Sequence, residues 1–264
     1  MNGIAVRKYT VTAWMEAGGH VNDSVLFVAD YLMRFIRIAA MLSIWRLVMG
    51  GKGTVNGLDV GTVLTYALIS EVFAEQFAAR TYIEHMVWQG KIATLLLRPV
   101  GLIPCLISES AGRWLVGFAL CSIPLFLVAP VLGVNPLPAN AVHGVAFVVS
   151  LILAVAVGLA IDFIFCSMVV AMNTSIWITE SFRAAVVVLF SGALIPLALL
   201  PWGLGRVFEW LPFASMASAP VRIYTGTGSP STLLAMQFGW ALILWPAANW
   251  LWGAIREKLS SYGG

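Results

Sequence analysis

The stretch that decides the fold of this chain is residues 82–113, YIEHMVWQGKIATLLLRPVGLIPCLISESAGR. It lies between two long apolar runs and mixes charged side chains with aliphatic and aromatic ones. This pattern is typical of short helices that lie at a membrane surface with their apolar side down. Pro99 and Gly101 interrupt the helical pattern before the next apolar run. Such a connector either passes force to a partner outside the membrane or rests on the bilayer without a partner.

The composition of the chain is that of a protein embedded in a membrane. Of its 264 residues, 60% are hydrophobic and only 10% are charged, whereas a soluble domain has about 25% charged residues. Cys105, Cys121 and Cys166 are odd in number and lie in or beside apolar stretches, so we expect reduced thiols and no disulfide framework. The histidines are far apart in sequence and indicate no metal site.

The apolar runs predict an all-α integral membrane protein with six transmembrane helices. A hydrocarbon core of about 30 Å needs roughly 20 residues of helix. The predicted spans are residues 25–49, 60–79, 114–132, 142–172, 177–195 and 233–254. Residues 1–24 are more polar and helical in pattern, so we expect an N-terminal elbow helix at the surface. The whole chain, residues 1–264, is then a single transmembrane domain with a connector at residues 80–113.

The distribution of basic residues predicts the orientation of the chain in the membrane. If both termini are cytoplasmic, the basic residues on the cytoplasmic side are Arg7, Lys8, Arg80, Lys91, Arg98, Arg113, Arg183, Arg256 and Lys258. Only Lys52, Arg206 and Arg222 then lie clearly outside, with Arg46 near the outer edge. Cytoplasmic loops of membrane proteins have an excess of Lys and Arg. We therefore expect cytoplasmic termini and a cytoplasmic connector.

A second informative stretch, residues 196–230, follows the fifth predicted span. Pro196, Pro201 and Pro212 rule out a continuous helix, and apolar side chains such as Phe213 rule out a solvated loop. Short re-entrant helices that dip into the outer leaflet fit both constraints. Because irregular backbone survives at membrane depth only inside protein or along a wet cavity, the segment is either a cap over an exit route or plain packing.

Ionisable residues within the predicted spans are costly unless they are paired or hydrated. Asp30, Arg34 and Arg37 share one face of the first span; they either line a wet path, or pair along the helix and reach the surface. Glu71 and Asp162 lie within the second and fourth spans. They either relay protons or form structural pairs with an arginine of a neighbouring helix.

Catalysis by this chain is not expected. The run Gly50-Gly51-Lys52-Gly53-Thr54 has the wrong spacing for a phosphate-binding loop and falls on the outer side. We find no nucleophile elbow, zinc motif or paired catalytic carboxylates in the sequence. The chain is expected to be neither an enzyme nor a nucleic-acid-binding protein.

The order of these features resembles the permease subunits of type-2 ATP-binding-cassette (ABC) exporters. The most specific similarities follow the second predicted span, GKIA at residues 90–93 and LLRPV at 96–100. Others follow the fifth span, SGALIP at residues 191–196 and LPF at 211–213. The final Gly263-Gly264 is similar to the branch of this family with compact six-span subunits.

The resemblance implies a mechanism and a set of partners. Two permease subunits, identical or homologous, would enclose a path, and two separate cytoplasmic ATPase subunits would bind ATP and magnesium, so no cofactor is expected in this chain. The connector would supply a coupling helix, with the candidate residues Glu84, Trp88, Gly90, Lys91, Leu97, Arg98 and Pro99. The segment with Pro196, Pro201, Pro212 and Phe213 would close the outer side.

The implied location is the inner or plasma membrane, with the lipid bilayer as surroundings. Apolar spans with few charges suit lipid-like molecules, amphiphilic drugs or peptides better than sugars or ions. Two alternatives stay open at this point. One is a membrane sensor or assembly factor built on the same scaffold, and the other is a proton-coupled transporter that uses Glu71 and Asp162.

Overall fold

The computed structural model describes residues 2–22, 24–51, 53–89, 101–172 and 176–262. Most of them are helical. The first half contains the helices α1 Asn2–Asn22, α2 Ser24–Met49, α3 Val60–Val72, α4 Ala74–Phe77 and α5 Ile83–Trp88. A small hairpin connects α2 to α3, in which β1 Thr54–Val55 pairs antiparallel with β2 Leu58–Asp59. Its turn is Asn56-Gly57, and both residues have positive φ, as a tight hairpin turn requires.

The second half begins with a long helix that contains one wide turn. This helix consists of α6 Leu102–Gly117, a π-helical turn Phe118–Ser122 and α7 Ile123–Val128. The later helices are α8 Ala141–Met172, α9 Ile176–Ser191, α10 Leu204–Phe208, α11 Ser218–Thr225 and α12 Pro230–Tyr262. Between α9 and α11 the chain also forms 3₁₀ turns at Leu197–Leu199, Pro201–Gly203 and Pro212–Ser215.

Within the described residues, three helices are long and apolar enough to cross a membrane: Ile103–Val128, Ala141–Val169 and Pro230–Ala254. They correspond to the third, fourth and sixth predicted spans. The other three predicted spans are also helical, but α2 has several charges, α3 ends at Val72 and α9 has only 16 residues. The all-α membrane class is therefore confirmed, whereas the number of six spans stays a prediction.

The helix that contains the third predicted span starts earlier than the sequence predicted. It begins at Leu102 instead of residue 114, because Gly101 is extended (φ −62°, ψ 134°) and starts the helix directly. Pro104 lies in the first turn, where no backbone N–H is needed. Arg113 lies inside the helix, and its guanidinium pairs with Glu16 of α1 at 2.8 Å.

The helix α1, predicted as a surface elbow, packs against α6. At Gly112 the contact is so close that an added Cβ would lie 2.2 Å from the carbonyl oxygen of Ala13. The ion pair between Arg113 and Glu16 lies beside this contact. The packing of α1 on α6 is thus well defined, while its position at a membrane surface stays a prediction.

Two helix irregularities meet near the middle of the molecule. The helix α3 ends at Val72, and the chain continues into α4 after a break at Phe73. The π-helical turn of the neighbouring long helix lies beside this break, and the Ser122 hydroxyl donates to the Val72 carbonyl at 2.6 Å. The Val72 carbonyl at the break is therefore hydrogen-bonded, as buried backbone groups in folded proteins generally are, and the break is part of the fold.

The helices α8 and α12 pack along each other and form the centre of the second half. Gln237 of α12 is fully buried there, and its amide donates to the carbonyls of Ser150 and Ser215 at 3.1 and 2.8 Å. The Ser150 hydroxyl donates back to Gln237 Oε1 at 2.8 Å. A buried amide with its donors and acceptor satisfied fixes the register of α8, α12 and the 3₁₀ turn at Pro212–Ser215.

Candidate functional site

A cleft of about 480 Å³ opens between α2, the α3–α4 pair and the C-terminal end of α9 with the residues that follow it. The lining residues are Arg37, Ala40, Met41, Ile44, Ala67, Ser70, Glu71, Ala74, Phe77, Ala78, Val187, Val188, Ser191, Ala193 and Leu194. On α2 and on α3–α4 they recur at intervals of three and four residues, so each segment presents one continuous face. The walls are mostly aliphatic, and ligand sites of proteins are commonly about 300–1,000 Å³ in volume.

One end of this cleft is charged. Arg37 Nε donates to Glu71 Oε1 and Oε2 at 3.0 and 3.1 Å. One turn away, Arg34 pairs with Glu75. The two pairs differ in exposure, since the side chain of Arg37 is 57% exposed and that of Arg34 is 15% exposed. Arg37 is thus the arginine that faces the open cleft, and Arg34 is held between helices.

A buried polar cluster lies where the chain leaves α4. Asp162 of α8 accepts from the backbone N–H and the hydroxyl of Thr81 at 2.8 and 2.6 Å. Arg183 of α9 pairs with Asp162 at 3.1 Å and donates to the Ala79 carbonyl at 2.9 Å. The side chains of Asp162 and Arg183 are 1% and 6% exposed. Two helices therefore hold the backbone of residues 79–81, at the start of the predicted connector.

A second set of contacts holds the next few residues. Arg80 Nη1 pairs with Glu180 of α9 at 2.6 Å, and the Arg80 carbonyl accepts from the Ser110 hydroxyl of α6 at 2.8 Å. Glu180 also lies 3.5 Å from the His85 ring of α5. The Arg113 guanidinium lies over the Tyr82 ring, 4.9 Å from its centroid. Residues 80–85 are thereby joined to α6 as well as to α8 and α9.

Residues 196–230, which are predicted to lie on the outer side and form the outer segment, are compact and built around prolines. Pro201 and Pro212 each begin a 3₁₀ turn, a position where the missing N–H costs nothing. Phe213 contacts Phe190 of α9, with ring centroids 6.0 Å apart. Trp202 is 92% exposed. The segment therefore packs on the end of α9 and presents apolar rings outward.

Comparison with known families decides the class of the protein. Over residues 35–263, the chain matches the family described as ABC-2 family transporter protein. The chain belongs to this family. The match covers all residues that line the cleft, the connector and the outer segment. A comparison with curated proteins finds no match to the chain.

Membership in the ABC-2 family makes the chain a permease, the membrane component of an ABC transporter. Members of the family work with ATPase subunits and have no ATPase site of their own. The resemblance found from residues 90–100 and 191–213 is thus confirmed at the level of the family. The compact six-span branch stays a prediction.

The structure describes only part of the predicted coupling helix in this ABC-2 permease. Glu84 and Trp88 belong to α5, and their side chains lie outside the described part. Gly90, Lys91, Leu97, Arg98 and Pro99 also lie outside the described residues. Their coupling role stays a prediction, while the described residues 79–85 show how the connector is joined to the helices.

The predicted intramembrane charges form two separate sites. Arg34, Arg37 and Glu71 come together at the cleft, and Asp162 lies in the buried cluster. The Asp30 side chain lies outside the described part. Glu71 and Asp162 each pair with an arginine of a neighbouring helix, the structural alternative to a proton relay.

The sequence analysis missed several polar residues of these sites. Glu75 lies four residues after Glu71, a spacing that places both carboxylates on one side. Glu180 lies three residues before Arg183, so both can face the same neighbours. These spacings were visible in the sequence. Ser70 had no comparable signal, because a serine inside an apolar helix is common.

Proposed function

We propose that this ABC-2 permease is the transmembrane subunit of an ATP-driven exporter, and that its substrate path includes the cleft between α2, α3–α4 and α9. The cleft is the observation that supports the proposal. It combines mostly aliphatic walls with one charged end and a volume of about 480 Å³. A path with these walls suits lipid-like molecules, amphiphilic drugs or peptides.

The proposed assembly has two permeases and two ATPases. A second permease, identical or homologous, faces the first and completes the path. The ATPase subunits bind ATP and magnesium at the cytoplasmic face of the inner or plasma membrane, on the same side as both termini. Docking occurs at the connector through Glu84, Trp88, Gly90, Lys91, Leu97, Arg98 and Pro99.

The buried cluster at the start of the connector supports this coupling route. A force on the connector reaches Ala79 and Thr81 first, and these residues are bound to Asp162 of α8 and Arg183 of α9. The helix α9 also forms one wall of the cleft. Movement of the connector can therefore change the width of the cleft through hydrogen bonds and an ion pair. The outer segment with Pro196, Pro201, Pro212 and Phe213 closes the far end.

Filling the cleft tests the proposal. The permease and its accompanying ATPase are reconstituted in liposomes, and ATP-dependent movement of a fluorescent short-chain phospholipid and a fluorescent amphiphilic dye is followed. We expect Ala40→Trp with Ala67→Trp to stop movement of the transported probe, because both positions line the cleft. The control Val148→Trp lies on the exposed face of α8 and should have no effect.

Three results would contradict the proposal. One is unchanged ATP-driven movement in a correctly assembled cleft-filled variant, which would remove the cleft from the path. Another is movement that persists without ATP and collapses when a proton ionophore is added, which would favour a proton-coupled carrier. The third is movement of neither probe by the unaltered complex despite active hydrolysis, which would favour a sensor or assembly factor.

A further inference from the structure

At the charged end of the cleft, the positive side chain is more exposed than the negative one. The Arg37 side chain is 57% exposed, and the side chain of its partner Glu71 is 14% exposed. Both residues line the cleft. The carboxylate is thus mostly covered, and the guanidinium is the charged group that a molecule in the cleft meets first.

The hydrogen bonds of Arg37 leave one edge of the guanidinium available. Its Nε and Nη2 both donate to Glu71. Its Nη1 makes no hydrogen bond to any residue that the structure describes. Glu71 therefore holds the guanidinium in place from one side. The opposite edge keeps N–H donors, and arginine donors bind carboxylate and phosphate oxygens by charge-assisted hydrogen bonds.

A buried hydroxyl in the same wall points to a ligand independently. Ser70 lines the cleft directly beside Glu71 and is 6% exposed. Its Oγ has no hydrogen-bond partner among the described residues. A buried hydroxyl without a partner costs free energy, about 1–3 kcal/mol in protein mutational data. Because the Oγ is closed to water in this conformation, rotation of the side chain toward the cleft would bring it to an acceptor oxygen of a bound molecule.

The other lining residues have no charge. Beyond Arg37 and Glu71, the residues of this cleft are aliphatic, aromatic or small, with Ser191 as the other hydroxyl. Ala40, Met41 and Ile44 continue from Arg37 along the same face of α2. A molecule that fits must therefore combine a negative group at one end with an apolar body.

We propose that the cleft binds an anionic amphiphile. Its oxyanion headgroup, a phosphate, carboxylate or sulfonate, binds the free edge of the Arg37 guanidinium and accepts from the Ser70 hydroxyl. Its apolar chain lies along Met41, Ile44 and the valines of α9. Only the interpretation of the bound amphiphile as a transport substrate rests on the proposed function, because binding itself needs neither ATP nor movement.

The test compares two probes that share a dodecyl chain and have headgroups of opposite charge. The chain, with whatever subunits accompany it, is placed in nanodiscs of zwitterionic lipid. Binding of dodecyl phosphate and of dodecyltrimethylammonium is measured by titration. We expect the phosphate to bind at least about tenfold more tightly, which is the factor that one charge-assisted hydrogen bond supplies.

The chain offers a matched control for the key residue. Arg34 lies on the same helix as Arg37 and also pairs with a glutamate, but it does not line this cleft. Arg34→Gln is therefore the control. We expect Arg34→Gln to keep the preference for the phosphate probe. Arg37→Gln should abolish it, and Ser70→Ala should weaken phosphate binding severalfold. The double variant Arg37→Gln with Glu71→Gln removes both charges, leaves no unpaired carboxylate and should also lose the preference.

Each contrary outcome is distinct. Equal binding of both probes, or an unchanged preference in Arg37→Gln, would overturn the inference. Binding of neither probe would also overturn it and would fit a cleft that a second copy of the chain covers. Selective binding of the phosphate probe without any ATP-driven movement would support the site and contradict the exporter proposal.

Discussion

The carboxylate of Asp162 and the guanidinium of Arg183 form a buried ion pair, 3.1 Å apart, between α8 and α9. Both side chains also bind the backbone of residues 79–81, through Thr81 and Ala79. The pair therefore does more than neutralise two charges. It holds the point where the chain leaves the α3–α4 segment and enters the connector.

Breaking this pair should be costly. We expect Asp162→Asn to lower the free energy of unfolding by about 3–5 kcal/mol, because it leaves Arg183 buried without a counter-charge. Thermal unfolding of the purified chain in detergent measures the effect. The control Glu209→Gln breaks the more exposed pair with Arg222 and should cost under about 1 kcal/mol.

A double-mutant cycle separates the pair from its other contacts. Asp162→Asn combined with Arg183→Gln should recover part of the lost stability, since neither charge is then buried alone. Equal losses for Asp162→Asn and Glu209→Gln, or strictly additive losses in the cycle, would show that the two charges do not interact.

The close approach of α1 to α6 gives a second prediction. Gly112→Val should displace α1, because even a Cβ would lie 2.2 Å from the Ala13 carbonyl oxygen. Limited proteolysis should then cut within α1 faster than in the unaltered chain. The control Gly239→Ala lies in α12, where no atom lies within 4 Å of an added Cβ. If both variants resist proteolysis like the unaltered chain, α1 does not pack at Gly112.

Asp59 gives a prediction about pH. It caps α3 and accepts from the Gly61 N–H at 3.0 Å and from the Thr62 hydroxyl. The Thr62 hydrogen bond, with smaller backbone contributions, holds the pKa of the Asp59 carboxyl below its ordinary value of 3.8. Because the folded-state pKa is the lower one, this stabilisation is present above pH 3.8 and is lost as pH falls through the folded-state pKa.

Two variants separate the charge of Asp59 from its capping role. Asp59→Ala should cost about 1 kcal/mol at pH 7, while Asp59→Asn should cost little, since Asn also caps helices. As the pH falls from about 5 to about 2, the unaltered chain should lose more thermal stability than Asp59→Asn. Parallel losses in both proteins would mean that Asp59 does not contribute to the acid sensitivity.

The sequence predicted the helices but not which helices meet. The helix breaks at Pro201 and Pro212 lie where the sequence predicted them. The helices α8 and α12 coincide with the apolar runs from which they were predicted. The pairing of Arg37 with Glu71 depends on the register of two antiparallel helices, which no local pattern encodes. For a similar reason the sequence did not show that Arg113 lies inside α6, where it pairs with Glu16 of a helix distant in sequence.

The connector carries the prediction that is most specific to coupling. Lys91→Glu with Arg98→Glu should leave the permease inserted but abolish substrate-stimulated hydrolysis by the partner ATPase, because two positive charges at the expected docking site become negative. Steady-state ATP hydrolysis with and without the transported probe measures the loss. The control is Arg206→Glu, an exposed residue that is predicted to lie on the outer side. Full stimulation in the double variant would disprove the assignment of residues 91 and 98 to the coupling helix.

The central claim is that this ABC-2 permease is one subunit of an ATP-driven exporter. The most direct measurement is gentle purification of the chain from its native membrane, followed by mass spectrometry of every protein that accompanies it. We expect a cytoplasmic ATPase with a phosphate-binding loop, together with a second permease, identical or homologous. A chain that purifies alone in several mild detergents would contradict the account.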